Sequence, residues 1–298
     1  MNSRTEKRTA PEREKIRGLL VDLAAYTVSF LAGSIPFMRI ADPVMATASF
    51  TLTATVLIFL VSTYASDVSV YDPYWSVAPP VMLLMNILKY RLWNVNALVL
   101  LALTLIWAWR LTANWYAAYR GIGHEDWRYA RYRKRCGPLL FHLISFFGLH
   151  LVPTLVVFGG MVSAFLAIRE TRFAPLTLPG AAVMLGAVLL EHVSDRAIHR
   201  FLRDQASRGR TCRVSVWKYS RHPNYLGEML FWTGLYLYFA ALLPGIWYAG
   251  LGFLSIILLF LTVSIPMMER HNLERRSDYA DYQAATPVLI PRPLRRTR

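Results

Sequence analysis

"VMATASFTLTATVLIFLVSTYA", residues 44–65, carries no charged side chain. A bilayer's hydrocarbon core needs about 20 apolar residues to cross it as a helix. Open strands leave backbone groups unsatisfied in lipid, so such a run reads as a spanning helix. Comparable runs recur at 19–38, 76–88, 95–114, 139–168, 176–194, 225–243 and 245–268. The 76–88 run is short and holds Pro79 and Pro80, and the 139–168 run is long, with Pro153 as a point of tilt or breakage. The fold expected is all-α: a polytopic integral membrane protein of seven to eight transmembrane helices. A basic tail, 1–18, would precede a single membrane domain, 19–298.

The net charge of +15 would suit nucleic acid, but its distribution argues against that partner. Of 33 Lys and Arg residues, 28 fall in segments 1–18, 110–135, 196–221 and 269–298. With eight spans these segments share one side, which the positive-inside rule makes cytoplasmic. Both termini would then be cytoplasmic, in what reads as a bacterial inner membrane, and the basic collars would meet anionic membrane lipids. Lys89 and Arg91 oppose this bias. Cys136 and Cys212 fall in the predicted cytoplasmic loops and are expected reduced and unpaired. No metal-ligand spacing, phosphate-binding glycine loop or dinucleotide fingerprint is present.

Polar groups at membrane helices are costly and mark candidate sites. Asp72 lies in "VYDPYWS" and Arg110 in "RLTANW". Glu191, Asp195 and His199 stand at i, i+4 and i+8 on one helix face. Then comes "KYSRHPNYLGE", residues 218–228, and after the last span "MMERHNLERRSDYADYQ", residues 267–283. These groups are expected to line one pocket open to the cytoplasm. Asn224 reads as the N-cap of a helix starting near Tyr225. The free N–H groups there favour an anion. Arg221 and His222 precede that start, and Arg203, Arg208, Arg210 and Arg213 lie in the loop before it. Tyr219 and Tyr225 suit a flat ring, and Glu228 can accept from an amide or ribose hydroxyl. Together they suit a dinucleotide carrying several phosphates. Singly, each has a plainer reading: a topology signal for an Arg, a helix cap for Asn224, an interfacial belt for the aromatics, an Arg221 partner for Glu228.

The stretches "VYDPYWS", "RLTANW", "GHEDWRY", "EHVSDRAIHRFLRD", "KYSRHPNYLGE" and "SIPMMERHNLERRSDYADYQ" with "LIP" behind it resemble, in order and spacing, the DUF1295 proteins. Those are relatives of the steroid 5-alpha-reductases and of the sterol C14 and delta-7 reductases. The resemblance spans about residues 65–293. It implies an α-helical membrane enzyme that reduces an activated C=C bond of a lipophilic small-molecule substrate with NADPH. Carried over by position, cofactor contacts fall on Glu191 and Asp195, with Arg203 facing phosphate. Asn224, Tyr225 and Glu228 hold the nicotinamide end, and His271 and Tyr282 close the site. In the 5-alpha-reductases a Tyr, helped by a Glu, hydrogen-bonds the substrate ketone. Asp72 matches that Glu, whereas Ile106, Trp107 and Ala108 stand where the Tyr is expected. The proton donor must come from elsewhere, with Tyr71, Tyr74 or Tyr116 as candidates, or the substrate is not a 3-oxo-steroid; Asp72 and Tyr74 are taken as the catalytic pair. "RHPxY" followed by Gly also occurs in isoprenylcysteine carboxyl methyltransferases and phospholipid methyltransferases. An S-adenosylmethionine-dependent methyltransferase is therefore one alternative, and a non-catalytic lipid-binding protein another. Neither substrate identity nor oligomeric state is written in these motifs.

Overall fold

The computed structural model describes residues 3–204, 207 and 209–291, with side chains from residue 12 onward. The described secondary structure is helical throughout. Six helical stretches are long and apolar enough to cross a membrane: Glu12–Arg39, Pro43–Ala65, Val95–Ala118, Pro138–Ala167, Pro175–Arg203 and Pro244–Arg275. The protein is an integral membrane protein on this ground, with six such helices among the described residues in place of the seven to eight expected. Both missing stretches are helical, but fail for physical reasons. The one containing 76–88 is only 17 residues, Tyr74–Tyr90, about 25 Å at 1.5 Å per residue. The other, Pro223–Leu242, has polar Asn224 and Glu228 in its first two turns.

The chain divides into two compact units. The first comprises residues 1–93 and 107–165, the second 94–106 and 166–298. In the first, α1 (Ser3–Arg39) runs helical through the expected tail and packs against α2 (Pro43–Ala65). Asp42 caps α2, its Oδ1 accepting from the Met45 amide at 2.8 Å. Then come α3 (Tyr74–Tyr90), the last part of α4 (Val95–Ala118), α5 (Trp127–Arg135), α6 (Pro138–Leu143) and most of α7 (Val152–Ala167). Buried hydroxyls link these helices: Thr55 Oγ1 to Thr154 Oγ1 at 2.7 Å, and Tyr71 Oη to Thr154 Oγ1 at 2.8 Å. In lipid such bonds and close packing hold helices together, since apolar side chains gain nothing by leaving the tails.

In the second unit α8 (Leu178–Arg203) and α9 (Pro223–Leu242) form the most extensive helix pair. Glycines let their backbones touch. A Cβ on Gly180 would stand 2.5 Å from the Tyr238 amide, and one on Gly234 2.8 Å from the Gly180 carbonyl. A Cβ on Gly227 would meet Glu191 Cγ. After α9 come α10 (Leu251–Leu259), α11 (Ile265–Arg275) and α12 (Tyr279–Ala285). Two spans contain π-helical turns, Ile144–Leu151 and Phe260–Ser264. Each ends two residues before a proline, Pro153 or Pro266. A proline gives no N–H and crowds the carbonyl four residues back, and a widened turn relieves both. The long 138–167 run therefore continues past Pro153 without a break.

Gly180→Ala should separate α8 from α9, because the new methyl collides with backbone and not with a side chain that can turn aside. We expect a loss of about 1–3 kcal/mol, read as a lower melting temperature in detergent, while Gly186→Ala, with open space at its Cβ, stays near the parent.

Candidate functional site

The two constellations named from sequence fall in different units. Asp72 and Tyr74 belong to the first; Glu191, Asp195, Arg203, Tyr219, Arg221, His222, Asn224, Tyr225, Glu228, His271 and Tyr282 belong to the second.

In the second unit the centre is a carboxylate not singled out from sequence, Glu269 on α11, 8% exposed. Its Oε1 accepts from Arg221 Nε at 3.1 Å, His222 Nε2 at 2.6 Å and the Tyr279 hydroxyl at 2.7 Å, and its Oε2 accepts from Gln283 Nε2 at 2.5 Å. Arg221 Nη1 also donates to the carbonyls of Gln283 and Thr286. The Arg221 and His222 amides donate to the Pro287 and Val288 carbonyls. Tyr282 donates to the Trp217 and Ser220 carbonyls, and Trp217 Nε1 donates to Ser194 O on α8 at 3.0 Å. Burial and the adjacent Glu269 carboxylate push the Tyr279 phenol well above its usual range. Arg221, His222 and Tyr282 are thus tied into a clamp joining the 209–222 loop to α11, α12 and the segment after it. Arg221 Nε and Nη1, His222 Nε2 and the Tyr282 hydroxyl bond protein groups.

The helix they precede begins at Pro223, with His222 at the N-cap position and no side-chain cap bond. This corrects the expected start near Tyr225 with Asn224 as cap. Proline's fixed φ suits the first helical position, so the helix nucleates there and Asn224 falls in the first turn. Its Oδ1 is buried and accepts no hydrogen bond. Beside it the Tyr225 and His222 rings stack, with centroids 5.3 Å apart and planes 6° from parallel. Glu228 does not pair with Arg221; its Oε1 accepts from Trp232 Nε1 at 3.2 Å. Glu191 and Asp195 are both buried on one face of α8. Arg203, Arg210, Arg213 and Lys218 are exposed, and Arg208 lies outside the described residues. Tyr219 is 46% exposed. His271 lies near Arg275, with Nε2 3.4 Å from its Nη1. Cys136 and Cys212 are free thiols, the second buried.

In the first unit Asp72 is hydrogen-bonded to Tyr129 of "GHEDWRY". The Tyr129 hydroxyl donates to Asp72 Oδ1 at 2.6 Å. Tyr74 is fully buried and stacks on Tyr71 at 5.0 Å, and its hydroxyl lies 3.4 Å from the Thr51 carbonyl. Burial pushes the Asp72 carboxyl up to about 6, against the opposing pull of Arg128 and the Tyr129 hydrogen bond. Burial and the neighbouring Asp72 likewise push the Tyr129 phenol well above its usual range. The carboxyl of such a pair can hold or release a proton near neutral pH, while the phenol keeps its own.

The profile of the family described as a protein of unknown function (DUF1295) matches residues 58–286. The chain belongs to the DUF1295 family. It is also similar to an uncharacterised protein of Schizosaccharomyces pombe, 25% identical over 78% of this chain and 75% of that protein. No solved structure matches it. The family match takes in Asp72, Tyr129, Asn224 and Glu269, and leaves out α1.

Replacing Glu269 with Gln should leave the Arg221 charge without its counter-ion in a buried place. Loss of a buried pair's partner costs about 3–5 kcal/mol, so Glu269→Gln should melt well below the parent. The Asp72 carboxyl should titrate by infrared spectroscopy with a midpoint near pH 6, in a band missing from Asp72→Asn. Its folded value lies above its ordinary 3.8, so its contribution to stability is complete below that pH and is lost as pH rises through the folded midpoint. Tyr129→Phe removes a bond to the ionised form and should move the midpoint higher.

Proposed function

We propose that this chain is a membrane oxidoreductase reducing an activated C=C bond, an enone, of a lipophilic, steroid-like substrate with NADPH. The observation that carries the reading is the buried, unpartnered Asn224 Oδ1 in the first turn of α9, next to the flat His222–Tyr225 stack. An orphaned buried acceptor is costly and calls for a donor, and a carboxamide N–H on a planar ring meets that need. The amides of the same helix turn and the exposed Arg203, Arg210 and Arg213 suit phosphates. Glu191, Asp195 and Glu228 offer acceptors to ribose or amide groups, and His271 and Tyr219 are further groups assigned to the cofactor. The chemistry NADPH supplies when bound is a hydride for the β-carbon.

The protein's own part is to position, to exclude water and to handle the proton. As electrons shift toward the enone oxygen, an aimed donor in a dry site stabilises the growing charge. We assign that role to the Tyr129 hydroxyl: with Asp72 protonated the bond between them reverses, the Asp72 O–H donating to the Tyr129 oxygen and freeing the phenol proton for the enone oxygen, so that Asp72 replaces the proton given up. Tyr74 then serves as packing for Tyr71. We further infer that the basic segments, both termini and the cofactor residues face the cytoplasm of a bacterial inner membrane, as the Lys and Arg bias favours. The rival methyltransferase reading uses S-adenosylmethionine, which has no phosphate to meet the arginines.

The test is ligand-induced stabilisation of the purified protein. NADPH should raise the melting temperature and S-adenosylmethionine should not; the reverse result sinks the reductase reading. Asn224→Ser should bind NADPH about 5- to 150-fold more weakly, the equivalent of about 1–3 kcal/mol for one buried hydrogen bond. Tyr129→Phe should bind NADPH like the parent yet lose about 10²- to 10⁴-fold in turnover with an enone, the range for a lost general acid.

A further inference from the structure

In the first unit a cleft opens where the end of α2 meets the start of the spanning stretch Pro138–Ala167. Its empty volume is about 200 Å³, part of it open to the outside. Ser62, Thr63 and Ser66 line it from the end of α2, Arg133 from α5, and His142 and Ser145 from the first turns of the 138–167 span. Val68 and Phe141 supply its apolar wall.

Most polar atoms around the cleft are engaged, which singles out those that are not. Ser62 Oγ lies 3.2 Å from His150 Nε2. Arg133 is held in place: Nε and Nη2 donate to Glu125 at 2.9 and 2.7 Å, and Nη2 also donates to the Ser66 carbonyl at 3.1 Å. Its guanidinium lies 4.2 Å from the centre of the Phe141 ring. Nη1 is left over, with no hydrogen-bond partner among the described residues. Ser145 is 3% exposed. Its carbonyl accepts from His150 Nδ1 at 2.8 Å, yet its hydroxyl has no partner among the described residues. The exposed Thr63, Ser66 and His142 side chains bring further polar groups. A buried hydroxyl on a cleft, beside a spare guanidinium nitrogen, calls for an acceptor with several oxygens.

We propose that this cleft binds the phosphate of an anionic phospholipid head group. Its level in the membrane fits. The α2 span ends at Ala65 and the other begins at Pro138, so the lining residues of both lie within about 10 Å of a span end at 1.5 Å per residue. That is where head groups take over from hydrocarbon. Tyr64, Leu139, Leu140 and Phe147, neighbours of the lining residues in the chain, are exposed and offer apolar surface to acyl chains. Glu125 offsets the Arg133 charge, but the last turn of α5 adds Lys134 and Arg135, both exposed. That surplus favours a lipid of net negative charge and repels the choline or ethanolamine of a zwitterionic one. The cleft is narrow, so it seats phosphate oxygens and leaves the rest of the head group at the surface. The site is independent of the reductase reading, since none of its residues is assigned to cofactor or enone.

The test is native mass spectrometry of the delipidated full-length protein with dioleoyl phosphatidylglycerol, dioleoyl phosphatidylcholine or dioleoylglycerol added, beside melting curves with each lipid and with inorganic phosphate alone. We expect phosphatidylglycerol to bind about tenfold more tightly than phosphatidylcholine, and dioleoylglycerol more weakly than either. Ser145→Ala, which keeps the carbonyl that holds His150, should weaken phosphatidylglycerol about tenfold at an unchanged melting temperature, the scale of one charge-assisted hydrogen bond. Arg133→Lys keeps a cation for Glu125 and removes Nη1, and should weaken it by a similar factor. Replacing Lys134 and Arg135 together with Gln should narrow the preference for phosphatidylglycerol over phosphatidylcholine. Equal binding of the two phospholipids, or parent-like affinity in both Ser145→Ala and Arg133→Lys, would overturn the proposal. So would stabilisation by inorganic phosphate as strong as by phosphatidylglycerol, which would make a free anion the ligand.

Discussion

The backbone-to-backbone contact of α8 with α9 underlies the second unit. Between helices in lipid there is no water to expel, so attraction rests on how closely main chains approach. Gly180 and Gly234 remove the side chains that would hold them apart, and Gly227 does the same for the buried Glu191. The consequence is directional. With the two axes fixed together, the ends of α8 and α9 point the Glu191–Asp195 face and the Asn224 turn into one loop region. A pair of leucine-lined helices would pack at greater distance and leave these polar groups separated by apolar bulk.

On that frame sits a second constraint, the Glu269 carboxylate. It gathers donors from the loop before α9 and from α12, elements 47 and 10 residues away in sequence. A buried carboxylate is tolerable only when several donors surround it, so the cluster forms as a set or not at all. That cooperativity also keeps the His222 ring square behind Tyr225. The first unit solves the same problem differently: Asp72 takes the Tyr129 hydroxyl, with Arg128 nearby, and Asp67 takes the Ser69 and Gly123 amides.

The helical class and the membrane were readable from long apolar runs, because length and hydropathy decide them one segment at a time. The span total was not, since α3 is short and α9 gives up apolar length to Asn224 and Glu228. The cap of α9 was misplaced because Asn is the commoner cap, whereas Pro223 sets the start through its fixed φ. Glu269 stood in plain view in "MMERHNLE" beside His271, yet its importance lies in contacts 47 residues distant, which no local pattern encodes. Tyr129 was hidden for the same reason: "GHEDWRY" looks like a charged loop until the chain returns it to Asp72.

The π-helical turns carry an implication for how this chain tolerates change in length. A widened turn holds one residue more than an α-turn. Every side chain beyond it is displaced by roughly 100° around the axis compared with an uninterrupted helix of 3.6 residues per turn. Phe260–Ser264 lies just ahead of Glu269, so the extra residue is what aims that carboxylate at Arg221 and His222. Deleting any one residue from this turn would keep the helix hydrophobic, and even regularise it, while swinging Glu269 away from its donors. Exchanges of one apolar residue for another there are mild by comparison. In this part of the protein the number of residues is held more tightly than their identity.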